Sequence, residues 1–252
     1  MNNPTTNKSN KPAVERYFYS VATILLLGLT VIGFQLFYFH SQAYPGRPLT
    51  PPIKTLIITH GVAMLLWMLL AIIQPLLVAS GNRRTHMALG KVMTVIAVCL
   101  VGLGLKLGIG ACKTAPPDMM FGPLTPKQFL SVPVGDIALF ALFVATGVLW
   151  RKRPDIHRPM MFLASLTAVA AAIARMDFLN HLYHGTVWQK LFSDFFFALV
   201  IAGLFLIAKC VVFRKFDRWF ATGFGAMVVW FFMVAQIAST SAWDAIASFL
   251  LR

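Results

Sequence analysis

The sequence predicts an all-α, polytopic membrane bundle of seven transmembrane helices, and three observations predict it. Of the 252 residues, 58% are hydrophobic and 12% charged, whereas soluble domains carry roughly 25% charged residues. The apolar residues gather into runs near 18–39, 56–79, 87–110, 129–150, 159–180, 190–213 and 219–243, each close to the roughly 20 residues that cross a bilayer. None of the runs alternates polar with apolar over ten-residue stretches, which argues against a transmembrane barrel. Lipid then leaves helices as the way to pair every backbone group within its own segment.

The elements follow in order. Residues 1–17, polar and rich in Asn, Thr and Lys, read as a disordered cytoplasmic tail. Residues 18–252 form one transmembrane domain. The first run precedes Ser41-Gln42-Ala43, which loosely resembles a cleavage site; its length of about 22 residues exceeds the 7–15 of a signal core, so it reads as a retained helix. Between the first and second runs, Pro45, Gly46, Pro48, Pro51 and Pro52 mark an irregular loop. A second such loop, 112–128, holds Pro116, Pro117, Gly122, Pro123 and Pro126. The segment from His181 to Lys190 carries Tyr183 and Trp188, aromatics suited to headgroup level.

The other connections are basic. Gly81-Asn82-Arg83-Arg84-Thr85-His86, Arg151-Lys152-Arg153-Pro154-Asp155-Ile156-His157-Arg158 and Arg214-Lys215-Phe216-Asp217-Arg218 lie on the same side as Lys8, Lys11 and Arg16. By the positive-inside rule that side is cytoplasmic, the N-terminus lies inside and the C-terminus in the periplasm. The net charge of +14 is therefore a topology signal that also favours anionic lipid headgroups; nucleic acid is not an expected partner. Aligning His86 with His157 superposes two of the joints and suggests three hairpins after a solitary first helix.

Packing signals are small residues. Gly104 and Gly108 form a GxxxG in the third span, and the fifth carries Ala164, Ala168, Ala170, Ala171, Ala172 and Ala174. Both spans are expected at the centre, with the Phe-rich sixth nearer the lipid. Cys99, Cys112 and Cys210 have no CxxC spacing and read as buried, inert thiols.

Charged groups in hydrocarbon cost about 2.5–3.5 kcal/mol each and usually have a partner or a task. In this topology His60, Asp136, Asp194, Arg175, Asp177, Asn180, His181 and His184 fall in the outer half of the bundle, with Lys106 approaching from the third span. Asp177, His181 and His184 are spaced i, i+4, i+7, one helical face. His60, Trp67 and Gln74 recur every seven residues and make a polar-aromatic stripe on the second span.

His60 with His181 or His184 suits a transition metal or a b-type haem, and Asp136, Arg175, Asp177 and Asp194 form a supporting polar cluster. Two other readings of the same residues stay open. One is a static polar clamp; the other is a pathway for protons, ions or small solutes. A role as an assembly subunit, with membrane-protein partners or as a homo-oligomer, also fits the composition. His86 and His157 read as helix-start or headgroup contacts. No Walker loop, GxGxxG or HExxH occurs, and no spacing supports Ser-His-Asp catalysis, so the sequence commits to no enzyme activity.

The set His60…Trp67…Gln74, Gly81…His86-x-x-Leu89-Gly90, Pro133-x-Gly135-Asp136 and His157-x-x-Met160-Met161…Ala174-Arg175 resembles a family of predicted bacterial inner-membrane proteins of unknown function. The resemblance covers roughly residues 56–184. It implies a multi-pass protein of the bacterial inner membrane, brings no reaction, and marks His60, Asp136, His157 and Arg175. The joint His157-Arg158-Pro159 departs from that pattern, which carries another basic residue and Leu. Intramembrane zinc hydrolases share the topology, but the last span here has no His. It also has no Lys for a rhodopsin-like Schiff base.

Overall fold

The computed structural model describes residues 13–44, 47–51, 53–116 and 118–252. Residues 1–12, Pro45, Gly46, Pro52 and Pro117 lie outside the described residues, including most of the expected tail. The chain runs α1 (Ala13–Gly33), α2 (Gln35–His40), β1 (Gln42–Tyr44), β2 (Arg47–Pro48), α3 (Ile53–Ala79), α4 (Arg83–Lys113) and α5 (Pro126–Phe129). It continues with α6 (Ser131–Leu149), α7 (Pro154–Ile173), α8 (Asp177–Asn180), α9 (Val187–Phe192), a 3₁₀ turn at Ser193–Phe195, α10 (Phe196–Phe213), α11 (Arg218–Ile237) and α12 (Ser241–Leu250). The end of the bundle holding the α3–α4, α6–α7 and α10–α11 joints is termed proximal, and the opposite end distal.

Among the described residues, seven helical segments are long and apolar enough to cross a membrane. Their outer faces are apolar: Val98, Leu204, Ile207 and Val211 are each more than half exposed. In water such a surface would be untenable, whereas in lipid it is the expected coat. The chain is a multi-pass membrane protein.

Helix starts follow local chemistry. The Asn82 side chain accepts from the Thr85 N–H at 3.2 Å to cap α4, and Asp217 accepts from Phe220 N–H at 2.9 Å to cap α11. Pro154 opens α7, where its missing N–H costs nothing. Thr125 and Gln128 complete a capping box around α5.

Six long helices surround α7. Neighbouring pairs run α1–α3, α3–α4, α4–α6, α6–α11, α11–α10 and α10–α1, and α7 touches α6, α1, α11, α10 and α3. In α7, 72% of the membrane-length window is buried, against 11–39% in the others. The alanine pattern is the cause: Ala164, Ala170 and Ala172 are buried and let neighbours approach. At Gly33 of α1 the approach is extreme, since a Cβ there would stand 2.1 Å from the Ala172 carbonyl oxygen.

Several expectations are corrected. The GxxxG of α4 does bring it close to a neighbour, with Gly104 against Ile137 and Gly108 against Pro133 of α6. Only one face of α4 is buried, however, so it belongs to the outer ring and not the centre. The expected tail is helical from Ala13 onward. The loop after the first span contains α2 and a small antiparallel hairpin pairing Gln42 with Pro48 and Tyr44 with Arg47. Cys99 is exposed, Cys112 buried and Cys210 between the two.

The seventh span ends at Ile237, and a separate amphipathic helix, α12, follows. Thr240 caps it by accepting from Trp243 N–H at 3.2 Å. Trp243 and Ala247 pack against Cys112 and Leu130 at the distal ends of α4 and α6, while Ile246 and Phe249 face outward. That is the pattern of a helix lying in a membrane interface. Trp243 Nε1 donates to the Lys127 carbonyl at 2.9 Å, and the Lys127 ammonium meets Asp244 at 3.3 Å.

Candidate functional site

The structure divides the polar residues of the interior between two flanks of α7 and leaves a third group outside. Asp177, His181 and His184 are the third group, and all are exposed. The spacing that placed them on one face presumed a helix continuing to residue 180. Instead α7 stops at Ile173. Asn180 Nδ2 donates to the Ala174 carbonyl at 2.7 Å, closing the broken end, and after the non-helical Met176 (φ −89°, ψ 86°) the short α8 begins at Asp177. Among the described residues, no three His, Cys, Asp or Glu side chains are grouped to hold a metal ion. His181 and His184 lie at the exposed surface, and His60 Nδ1 is buried.

On the α1 flank, at the distal end, Arg175 lies over the rings of Phe34 and Phe37 at 5.0 and 5.4 Å. Its guanidinium donates to the Ala171 carbonyl at 3.0 Å, and its charge acts on Asp194. Tyr183 Oη donates to the Ser193 carbonyl at 3.1 Å. Burial and the neighbouring Asp194 raise the Tyr183 phenol above its ordinary range. Ser193 sits at φ 48°, ψ −134°, a strained conformation for a residue with a Cβ. Arg175 and Asp194 were expected to cooperate; Tyr183 and Ser193 were not foreseen in this role.

At the proximal end of the same flank, Lys209 is buried. It donates to Tyr19 Oη and to Asp217 Oδ2 and faces the rings of Tyr19, Phe213 and Phe220 at 4.7–5.7 Å. One ammonium thus ties α1, α10 and the start of α11. The sequence reading treated Lys209 as a topology signal.

The other flank is the seam between α7 and the helices α3, α4 and α6. Here the heptad stripe of α3 is realised, each member about 10 Å from the next at 1.5 Å per residue. At the distal level, the His60 ring lies where α3, α4 and α6 meet: a Cβ on Gly104 would be 3.6 Å from His60 Cε1 and 3.0 Å from Ile137 Cδ1. Asp136 precedes Ile137 on α6. His60 Nδ1 and Asp136 Oδ1 are both buried without a hydrogen-bond partner among the described residues.

At the middle level Trp67 is fully buried. It packs edge-on to Phe140 at 5.0 Å, one turn along α6 from Asp136, and its Nε1 donates to Ser165 Oγ of α7 at 3.2 Å. At the proximal level Gln74 is buried against the first turns of α4. Set so that both of its ends are satisfied, the side-chain amide turns its nitrogen to His86 Nδ1 at 2.5 Å and to the His86 carbonyl at 3.2 Å, and its oxygen accepts from Gly90 N–H at 2.9 Å. His86 faces His157 with ring centroids 6.3 Å apart and planes at 89°. His157 Nδ1 is 2.8 Å from the Gly147 carbonyl of α6.

The two proximal histidines stand in the first turns of α4 and α7, in keeping with the helix-start reading, and their rings turn into the bundle, which corrects the headgroup alternative. The signal lay in the sequence: the same alignment that superposed the two joints paired these residues. Lys106, expected to approach the polar layer, is exposed on the lipid side of α4, where its long stem can carry the ammonium toward the interface.

Comparison with protein-family models, with curated proteins and with solved structures finds no match to this chain. The seven apolar segments define its class, a multi-pass helical membrane protein, and the seam defines the chemistry open to it.

Proposed function

We propose that this protein moves protons across a bacterial inner membrane along the seam of α3, α4, α6 and α7, with its N-terminus in the cytoplasm. One observation carries the reading. His60, Trp67 and Gln74 form a line at heptad spacing on one helix, and polar groups of α4, α6 and α7 accompany it at every level. That line covers about 21 Å of a hydrocarbon core roughly 30 Å thick.

Chemically the line has the parts a proton route needs. Asp136 and His60 are titratable groups with unused hydrogen-bonding capacity at the distal level. The Trp67–Ser165 pair joins α3 to α7 in the middle. His86 and His157 are two further titratable rings at the proximal level, beside the basic joints that mark the cytoplasmic side in this reading. Intramembrane ionisable residues of this kind mark proton relays and ion pathways. The pathway was one of the readings the sequence left open, and the dispersal of His181 and His184 to the surface favours it over a distal metal or haem site.

The test is proton flux in liposomes. Purified protein is reconstituted with a pH-sensitive dye inside, and a potassium gradient with valinomycin supplies the driving potential. Wild-type protein is expected to acidify or alkalise the lumen according to the sign of the potential, and Asp136→Asn is expected to abolish the flux. Wild-type vesicles no leakier than empty ones would sink the reading.

A further inference from the structure

We infer that His86 and His157 are a directional proton-handover pair, held in opposite tautomers by Gln74 on one side and by the Gly147 carbonyl on the other. The inference rests on the proton-route reading and names the residues that exchange the proton at its proximal end.

The Gln74 amide fixes the first tautomer. Its position against α4 admits one orientation. The end facing His86 meets the His86 carbonyl oxygen at 3.2 Å, so it must be the NH₂; the end facing Gly90 N–H at 2.9 Å must be the oxygen. The NH₂ therefore also faces His86 Nδ1, which must be the bare, accepting nitrogen, and the ring proton sits on Nε2.

His157 is in the reverse state. Its Nδ1 lies 2.8 Å from a backbone carbonyl, an acceptor only, so Nδ1 carries the proton and Nε2 is bare. The pair thus offers an Nε2–H on α4 and a bare Nε2 on α7, with the rings 6.3 Å apart. That separation is too long for a direct ring-to-ring hydrogen bond and suits one bridging water or a small swing of either ring.

The same logic separates a proton site from a metal site. A ligating histidine donates its other ring N–H to a carbonyl or carboxylate. His157 meets that condition. His86 does not, because Gln74 occupies its Nδ1 as a donor.

A proton arriving from the seam adds to His86 Nδ1, breaking the hydrogen bond from Gln74 and giving an imidazolium. His86 Nε2 then gives its proton to His157 Nε2, which releases it at the proximal surface; one proton enters and one leaves. His86 is left with the proton on Nδ1, and the Gln74 amide must turn to accept it. That turned state loses the Gly90 N–H contact, so it is unfavourable; the ring returns when water takes the Nδ1 proton and gives one to Nε2, with no net change in protons, and the amide turns back. The charged groups around the pair are Arg158 of α7, whose charge acts on both rings, and the exposed Arg83, Arg84 and Lys91 of α4. Asp155, the acidic residue at the start of α7, is engaged by Arg153 and Trp219.

The tautomers are read directly by nitrogen NMR of protein carrying ¹⁵N-labelled histidine, with His86→Gln and His157→Asn assigning two of the six histidines. The expected spectrum of wild-type protein has a bare Nδ1 in His86 and a bare Nε2 in His157. Gln74→Leu is expected to release the His86 tautomer and leave that of His157 unchanged. Both rings in the same tautomer would overturn the handover.

In the liposome assay, His157→Asn is expected to cut flux by about tenfold or more and Gln74→Leu to change its pH profile. If Asp136→Asn blocks the flux while both proximal variants run at the wild-type rate, the handover is wrong and the route stands. If wild-type protein carries no protons, route and handover fall together.

Discussion

Two buried polar clusters flank α7, Lys209 with Tyr19 and Asp217 at the proximal end on one side and His60 with Asp136 at the distal level on the other, and they differ in one respect. On the α1, α10 and α11 flank, Lys209 spends its donors on Tyr19 and Asp217, and Asp217 also caps α11. On the α3, α4 and α6 flank, His60 Nδ1 and Asp136 Oδ1 remain without a partner among the described residues. A buried ion pair whose hydrogen bonds are completed is a fastening. A buried group with unused capacity weakens the fold, and its retention points to something exchangeable. The difference assigns stability to the Lys209 cluster and exchange to the His60–Asp136 cluster, and substitutions can break that assignment.

The largest effect is expected on the fastened flank. Lys209→Met removes the cation and leaves Asp217 partly buried beside aromatic rings, which should cost about 3 kcal/mol. The midpoint of unfolding of the detergent-solubilised protein measures it. Adding Asp217→Asn removes the orphaned charge and should recover a large part of the loss. If the single variant unfolds like wild type, Lys209 is no fastening and the contrast between the flanks fails.

Next comes the α1–α7 contact that supports the same flank. Gly33→Ala places a methyl against the Ala172 backbone, and a carbonyl in a central helix cannot give way as a side chain can. About 2 kcal/mol of destabilisation is expected. Gly28 is the control on the same helix. Its added Cβ meets nothing within 4 Å, so Gly28→Ala should stabilise by a few tenths of a kcal/mol up to about 1. Equal effects from both would mean that α1 does not seat on α7 through Gly33.

Much of this was legible in the sequence, and the failures share a physical origin. The spans, the basic joints and the stripe His60, Trp67, Gln74 follow from local composition and helical period, so they could be read directly. The end of α7 could not. No Gly or Pro lies between Ala164 and Asn180, and the helix stops where Asn180 captures a carbonyl. Asp177, His181 and His184 follow that stop and are exposed. Centrality was misjudged for α4 because glycines report a close approach to one neighbour, not enclosure by several. The onset of α12 was visible as Ser239-Thr240-Ser241 but fell inside an apolar run long enough to read as continuous. Lys209 was hidden by its basic neighbours, which supplied a sufficient explanation for it.

A smaller effect tests the middle of the seam. Trp67→Phe keeps the edge-on packing against Phe140 and removes the donor to Ser165. A single neutral hydrogen bond contributes about 1 kcal/mol, and Ser165 retains its own bond to the Met161 carbonyl at 3.2 Å. The stability change should stay near that value. A much larger loss would make Trp67 a fastening like Lys209 and move the boundary between the flanks into the seam.

The smallest change in stability should come from the most consequential residue for function. Asp136→Asn keeps the size of the side chain and withdraws a titratable group whose Oδ1 lacks a partner. Since no observed hydrogen bond at that atom is lost, the unfolding midpoint should move by less than about 1 kcal/mol in either direction. Flux should nevertheless disappear, because an amide cannot take up and release a proton. Lys209→Met offers the opposite pairing, with stability falling and flux per folded molecule kept. Measuring both quantities on both variants separates fastening from exchange. If Asp136→Asn destabilises as strongly as Lys209→Met, Asp136 has a structural partner after all, and the two flanks are variants of one scaffold.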